Sequence, residues 1–205
     1  MALRHPGTLA GRLVTLEPLS QEHREGLAEA VRDGELWRLW YTRVPAPERM
    51  GAEIDRRLEL QRQGSMIPFA ARRSDTGRII GMTTYMNIDE STPRVEIGST
   101  WNAAGAQGTG TNPESKLLLL RHAFEEWGCP AVEFRTDFLN RQSREAIARL
   151  GAKQDGVLRA HLRQPAGYVR DTVVFSIIAS EWPGVRLGLE HRVQRHFDEA
   201  RGEAP

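Results

Sequence analysis

Between residues 12 and 18, Leu13, Thr15 and Glu17 alternate with Val14 and Leu16. That two-residue period predicts a strand with one buried face. The period then lengthens. Ser20, followed by Glu22, Glu25 and the apolar Leu27, Ala30 and Val31, predicts a helix capped by the serine. Met50, Ile54 and Leu58 recur every fourth residue and predict a second helix over 47–63. Strand character returns at 68–73 and 78–88, joined by the turn sequence Ser74-Asp75-Thr76-Gly77. A further strand covers 94–101.

The second half alternates helix and strand. Asn112 as cap, Pro113 at the first helical position and Glu114 in the first turn open a helix that Gly128 ends. A strand follows at 131–136, then a helix at 140–150 stopped by Gly151. Segments 157–163 and 168–178 form a final hairpin around Pro165-Ala166-Gly167. Residues 190–201 are polar with helical character. This order predicts a mixed α/β sheet with helices on both faces, and parallel pairing only in its βαβα centre. Residues 1–182 are expected to form a single domain, with 183–205 as a polar C-terminal extension.

Composition narrows the functional classes. The chain has 205 residues, and 28 Lys+Arg nearly balance 27 Asp+Glu, which does not suggest a dedicated nucleic-acid binder. Nearly all the basic residues are arginine; Lys116 and Lys153 are the two lysines. A single cysteine, Cys129, excludes an intramolecular disulfide and a multi-cysteine metal site. The six histidines show no ligand spacing, so no metal is expected. No apolar run approaches the ~18 residues of a membrane span, and the N-terminus lacks a hydrophobic signal core. A cytoplasmic location is expected.

The segment with most chemical content is Gln107-Gly108-Thr109-Gly110-Thr111-Asn112. It follows a strand and opens a helix. Glycines there allow successive backbone N–H groups to converge, and a helix N-terminus adds partial positive charge, so the segment suits a pyrophosphate. A dinucleotide-binding βαβ unit fits less well, because hairpin strands precede the loop. Asn140-Arg141-Gln142-Ser143 opens the following helix.

These two motifs, in this order, resemble the GCN5-related N-acetyltransferase (GNAT) superfamily. Within it the chain is similar to the branch of ribosomal-protein N-terminal acetyltransferases of the RimJ and RimL type. The likeness spans roughly residues 11–182 and includes the opening strand Leu13-Val14-Thr15-Leu16-Glu17-Pro18. The family loop ends in Gly or Ala where this chain has Asn112. The resemblance implies a mostly antiparallel sheet with a parallel strand pair at a cofactor cleft, and acetyl-CoA as cosubstrate. Its pyrophosphate would lie on residues 107–112, its pantetheine amides along the strand ending at Trp101 and Asn102, and its thioester near Asn140 and Ser143.

The resemblance also assigns roles. Glu96, a carboxylate amid apolar neighbours in mid-strand, would be costly there unless paired or functional. It stands as the base for the acceptor amine, with an ion pair to Arg94 or a neighbouring strand's arginine as the alternative. A backbone N–H near Trp101 would stabilise the oxyanion. Ser143, at four- and seven-residue spacing from Ile147 and Leu150, faces inward and could protonate the departing thiolate; Asn140 could equally be a plain helix cap. Trp40, Tyr41 and Tyr85 are candidates for the acceptor wall, against a packing role shared with Trp37. Asp171 is expected to be structural. The expected acceptor is a protein N-terminus, or else a small amine such as an antibiotic or metabolite; a non-catalytic coenzyme A-binding module is the third option. Direct attack needs no acyl-enzyme, for which Cys129 is poorly placed. No direct nucleic-acid or membrane partner is expected, and a homodimer is left open.

Overall fold

A computed structural model describes residues 6–202. One eight-stranded sheet runs through it, in the order β1-β2-β3-β4-β5-β6-β8-β7. The strands are β1 Leu9–Ala10, β2 Val14–Pro18, β3 Met66–Arg73, β4 Ile79–Asp89, β5 Arg94–Asn102, β6 Ala131–Asp137, β7 Lys153–Arg163 and β8 Val169–Ile178. Every neighbouring pair is antiparallel except β5 and β6. Five helices accompany the sheet: α1 Arg24–Arg32, α2 Met50–Arg62, α3 Thr111–Arg121, α4 Arg141–Ala148 and α5 Trp182–Arg201. None is long and apolar enough to cross a membrane.

Parallel strands need a crossover, and α3 supplies it between β5 and β6. The core lies between sheet and helices. Val14, Leu16, Phe69, Met82 and Tyr85 from the strands pack with Leu27, Ile54, Leu119 and Leu120 from the helices. Ser20 opens a short 3₁₀ turn over Gln21–His23 ahead of α1, and its backbone N–H donates to His23 Nδ1 at 3.1 Å.

The start of α3 differs from the sequence expectation. Gly110, at φ +83°, is the N-cap, so Thr111 is the first helical residue and Asn112 already lies inside the helix. Left-handed entry is available to glycine at no Cβ penalty, and this moves the start ahead of the Asn-Pro signal. Glu114 does more than complement the helix dipole. Its buried carboxylate accepts the N–H groups of Arg12, Leu13 and Val14 at 2.8, 2.6 and 2.8 Å, tying β2 to the first turn of α3. After Arg121 the helix widens into a π turn, His122–Glu126, and Gly128 at φ +63° ends it. The polar C-terminal segment is helical from Trp182 onward, and α5 buries Leu189 and Val193.

Candidate active site

Strands β5 and β6 pair over only three positions: Arg94 with Ala131, Val95 with Val132 and Glu96 with Glu133. Beyond Glu96, β5 continues to Asn102 and β6 to Asp137 with no pairing between them. A wedge therefore opens in mid-sheet, and the β6-facing edge of residues 97–102 is left free of strand partners. Such an edge can accept an extended ligand as if it were an added strand.

The glycine loop and the α4 N-terminus meet across the mouth of this wedge, where Gln142 Nε2 donates to Gln107 Oε1 at 3.2 Å. Gln107 and Asn112 both lean on Asn102. Gln107 Nε2 donates to the Asn102 carbonyl, and Asn102 Nδ2 to Asn112 Oδ1, each at 3.4 Å. The hydroxyls of Thr109 and Thr111 turn inward to the Ala106 carbonyl at 2.7 and 3.2 Å. They build the loop and leave its outer face to the backbone. Among the described residues, the N–H groups of 108–112 donate to no protein acceptor. Five consecutive free donors at a helix N-terminus fit a pyrophosphate.

The two glycines have different reasons to be glycine. A Cβ on Gly108, at φ +78°, would meet open space. A Cβ on Gly110 would lie 2.6 Å from His196 Cβ and 2.8 Å from Leu13 Cδ1. Gly108 thus belongs to the open face of the loop, and Gly110 to the packing of α3 against Leu13 and α5.

Glu96 sits at the apex of the wedge and is 6% exposed. Asn87 Nδ2 donates to it at 2.6 Å, and Arg135 Nε lies 3.6 Å away. Asn87 is itself at φ +50°, beside a register irregularity between β4 and β5. Glu133 takes most of the local positive charge. Arg135 Nη2 reaches it at 2.8 Å, and Arg94 also pairs with it. Burial raises the Glu96 pKa above its ordinary value, the Glu133 carboxylate adds to the rise, and Arg135 and Asn87 only partly oppose it. Both sequence alternatives for Glu96 are therefore present together: an arginine from the next strand does approach, yet the carboxyl stays more basic than normal.

Above this face stands an arch. The connection between α1 and α2 carries Trp40 and Tyr41, whose rings meet edge to face at 5.5 Å; Trp40 also meets Tyr168 of the β7–β8 turn at 5.4 Å. Arg43 joins the same two segments, donating to the Arg163 carbonyl at 2.7 Å and to Gln164 Oε1 at 3.1 Å. Trp40 remains 55% exposed. Beneath the arch Tyr168 donates to Asp137 Oδ2 at 2.6 Å, and burial together with that carboxylate pushes its pKa up to about 12. Arg170 donates from Nε to Thr172 Oγ1 at 2.9 Å.

Tyr85 is elsewhere, which corrects its expected place in the acceptor wall. It is 0% exposed, donates to the Leu119 carbonyl and packs on Phe69 and Trp127 beneath α3. The strand alternation that exposes one face to the arch turns Tyr85 to the other. Trp101 is buried too, and its indole N–H finds no protein acceptor among the described residues; its backbone pairs with Met82 of β4, on the stretch of β5 that has no partner on the β6 side.

On α4, Asn140 is the N-cap, its Oδ1 accepting the Ser143 N–H at 3.0 Å. The Ser143 hydroxyl is partly buried and makes no protein hydrogen bond among the described residues. Asp171 binds Arg159 at 2.6 Å and the Ala160 N–H at 2.7 Å, on the outer hairpin. Burial pushes the Cys129 thiol up to about 11, which keeps it protonated and unreactive. No cluster of three or more His, Cys, Asp or Glu that could hold a metal ion occurs among the described residues. Sequence reasoning missed Asn87, Glu133, Arg135, Arg43, Tyr168 and Arg170, all brought to this face by strand pairing or by the arch.

The acetyltransferase (GNAT) domain family matches residues 13–153. No curated protein matches the sequence. Among solved structures, a T. thermophilus protein assigned as an acetyltransferase is 33% identical, with a TM-score of 0.81 over 92% of this chain and 98% of that one. A GCN5-related N-acetyltransferase from Brucella melitensis shares the fold at 24% identity and a TM-score of 0.83, covering 94% of this chain and 87% of that one. Mycobacterium smegmatis RimJ, in complex with CoA-disulfide, does so at 21% identity and a TM-score of 0.73, covering 96% and 92%. The chain belongs to the GNAT acetyltransferase family and is an acetyl-CoA-dependent N-acetyltransferase.

Proposed function

We propose that the protein acetylates the N-terminal α-amine of a protein, by direct attack of that amine on the thioester. The observation that carries this reading is the buried, basic Glu96 at the apex of the wedge, facing a polar floor under the Trp40–Tyr168 arch. The N–H groups of 108–112 would hold the pyrophosphate, and the free edge of β5 the pantetheine amides. Acetyl-CoA supplies the activated acetyl group. Glu96 takes a proton from the acceptor ammonium, freeing the nitrogen lone pair. The amine adds to the thioester carbonyl; as the tetrahedral adduct collapses and the C–S bond breaks, the Ser143 hydroxyl gives its proton to the leaving sulfur, and the second proton that the nitrogen sheds on becoming an amide restores the Ser143 hydroxyl through solvent. A backbone N–H at the end of β5 supports the charge on the carbonyl oxygen.

The protein N-terminus is favoured by the polar face beneath the arch. That face offers Arg135, Asp137 and Arg170, charged and polar groups suited to the backbone of an extended peptide. The sharing of this fold with RimJ leans the same way. A thiol-release assay tests it, with peptides of varied first residue set beside small amines and α-amine-blocked peptides. Turnover of free peptides with an acetyl mass shift on the α-amine is expected. Turnover confined to small amines would replace this acceptor with an antibiotic or metabolite. Tight acetyl-CoA binding with no turnover on any amine would oppose catalysis altogether.

A further inference from the structure

The free edge of β5 is not regular. Met82 pairs with Trp101 and Thr84 with Gly98, so Ser99 and Thr100 together stand opposite Thr83. This is a β-bulge. Ser99 lies at φ +48°, a left-handed conformation that is strained for a non-glycine residue and persists only where the surroundings enforce it. The bulge falls just past Glu96, where β5 has already parted from β6.

Two buried basic side chains grip this bulge from opposite faces of the sheet. From α2, Arg57 is 1% exposed. It binds Glu53 at 2.7 Å, Thr84 Oγ1 at 2.7 Å, and the Ser99 carbonyl through Nη1 and Nη2 at 3.5 and 3.4 Å. From α3, Lys116 donates to Thr83 Oγ1 at 3.0 Å and Thr100 Oγ1 at 2.8 Å, and those hydroxyls are 2.9 Å apart. Neighbouring Thr83 and Thr84 point to opposite faces, which is why the two cations arrive from opposite sides. Burying such groups is costly unless they are paired. Lys116 has no carboxylate within ion-pair distance among the described residues to offset it. Burial alone lowers its pKa to about 7, a further sign that the position is not chosen for stability.

We propose that Arg57 and Lys116 are positioning residues that lock the β5 bulge, so that a backbone N–H of residues 99–101 is held toward the thioester carbonyl in the wedge. The lock rests on the acetyl-transfer reading of that wedge. Neither side chain touches the reacting atoms. Each acts through the peptide groups of 99–101, from α2 and from α3.

Lys116→Met keeps the length and removes the donor; Thr100→Val removes one hydroxyl and keeps the β-branch. Each variant is compared with the parent for Tm, kcat, KM for acetyl-CoA, and the amide NMR signals of residues 99–101 with and without acetyl-CoA. The expected result is a folded variant, Tm within about 5 °C, whose kcat falls roughly tenfold or more while KM for acetyl-CoA stays within about threefold. The 99–101 amide signals should shift. Wild-type kcat in either folded variant overturns the proposal. Should Lys116→Met fail to fold, Thr100→Val decides alone. If the unaltered protein turns over no amine, the transfer reading falls by itself, and the amides then decide the bulge: an unchanged response of 99–101 to acetyl-CoA in the variants refutes the lock.

Discussion

Glu96 and Glu133 are register partners at the last paired position before β5 and β6 separate. Two carboxylates side by side at the root of a cleft would repel, and the chain resolves this unequally. Glu133 takes Arg135 and Arg94, while Glu96 keeps Asn87 and a longer contact to Arg135. The outcome is one carboxylate held by two arginines and one with a raised pKa.

This asymmetry can be tested at the neighbour. Glu133→Gln removes the like charge that helps raise Glu96 and frees Arg135 to approach it. Both effects favour the ionised form, so the Glu96 pKa should fall. The acidic limb of kcat/KM should move to lower pH. An acidic limb that stays in place, or moves up, would show that Glu133 does not tune the site.

The loop glycines should fail in different ways. Gly108→Asp adds a carboxylate on the open face, so the protein should fold, while acetyl-CoA affinity drops by well over the ~1.4 kcal/mol that marks tenfold. Gly110→Ala drives a Cβ into His196 and Leu13 and should lose stability first, by a few kcal/mol. Calorimetry and thermal melts separate the two. Unchanged affinity in a folded Gly108→Asp protein would remove the pyrophosphate from this loop.

Ser143→Ala separates capping from proton transfer. The cap bond runs from the Ser143 backbone N–H to Asn140 Oδ1, so the substitution leaves it intact, and stability should change by less than the ~1 kcal/mol of a lost cap. If the hydroxyl protonates the sulfur, kcat should fall, and the loss should shrink with an acyl donor of more acidic thiol. Normal kcat with a raised KM for acetyl-CoA would make Ser143 a binding contact instead.

What the sequence disclosed was local. The strand that carries Glu96, the hairpin turn at 74–77, the Asn140 cap and the glycine loop are each set by a few adjacent residues, and the structure has all four. What it concealed depends on partners far along the chain. Nothing near Glu96 announces Glu133 or Arg135, which arrive through the α3 crossover. Tyr85 alternates correctly within β4, but alternation does not say which face meets solvent. The α3 start slipped from Asn112 to Gly110 because contacts from Leu13 and α5 admit only glycine there. In α5 the stripe Trp182, Val185, Leu189 and Val193 was present, yet interleaved Gly, Pro and Arg diluted it.

The role of Glu96 as base stands or falls on the pH dependence of kcat/KM for Glu96→Gln beside the parent. The folded parent holds this carboxyl at a raised pKa. Its ionised form therefore costs stability as pH rises from below the ordinary carboxylate range, near ~4.3, through the raised value. The glutamine escapes that cost, so its Tm at neutral pH should be no lower than the parent's, and a melt measured beside the rates shows whether the variant is folded. Expected for the variant are intact acetyl-CoA binding, a kcat reduced by roughly 10²–10⁴, and an acidic limb that flattens. A folded variant whose rate falls less than about threefold, with the acidic limb unchanged, would show that the proton leaves by another route.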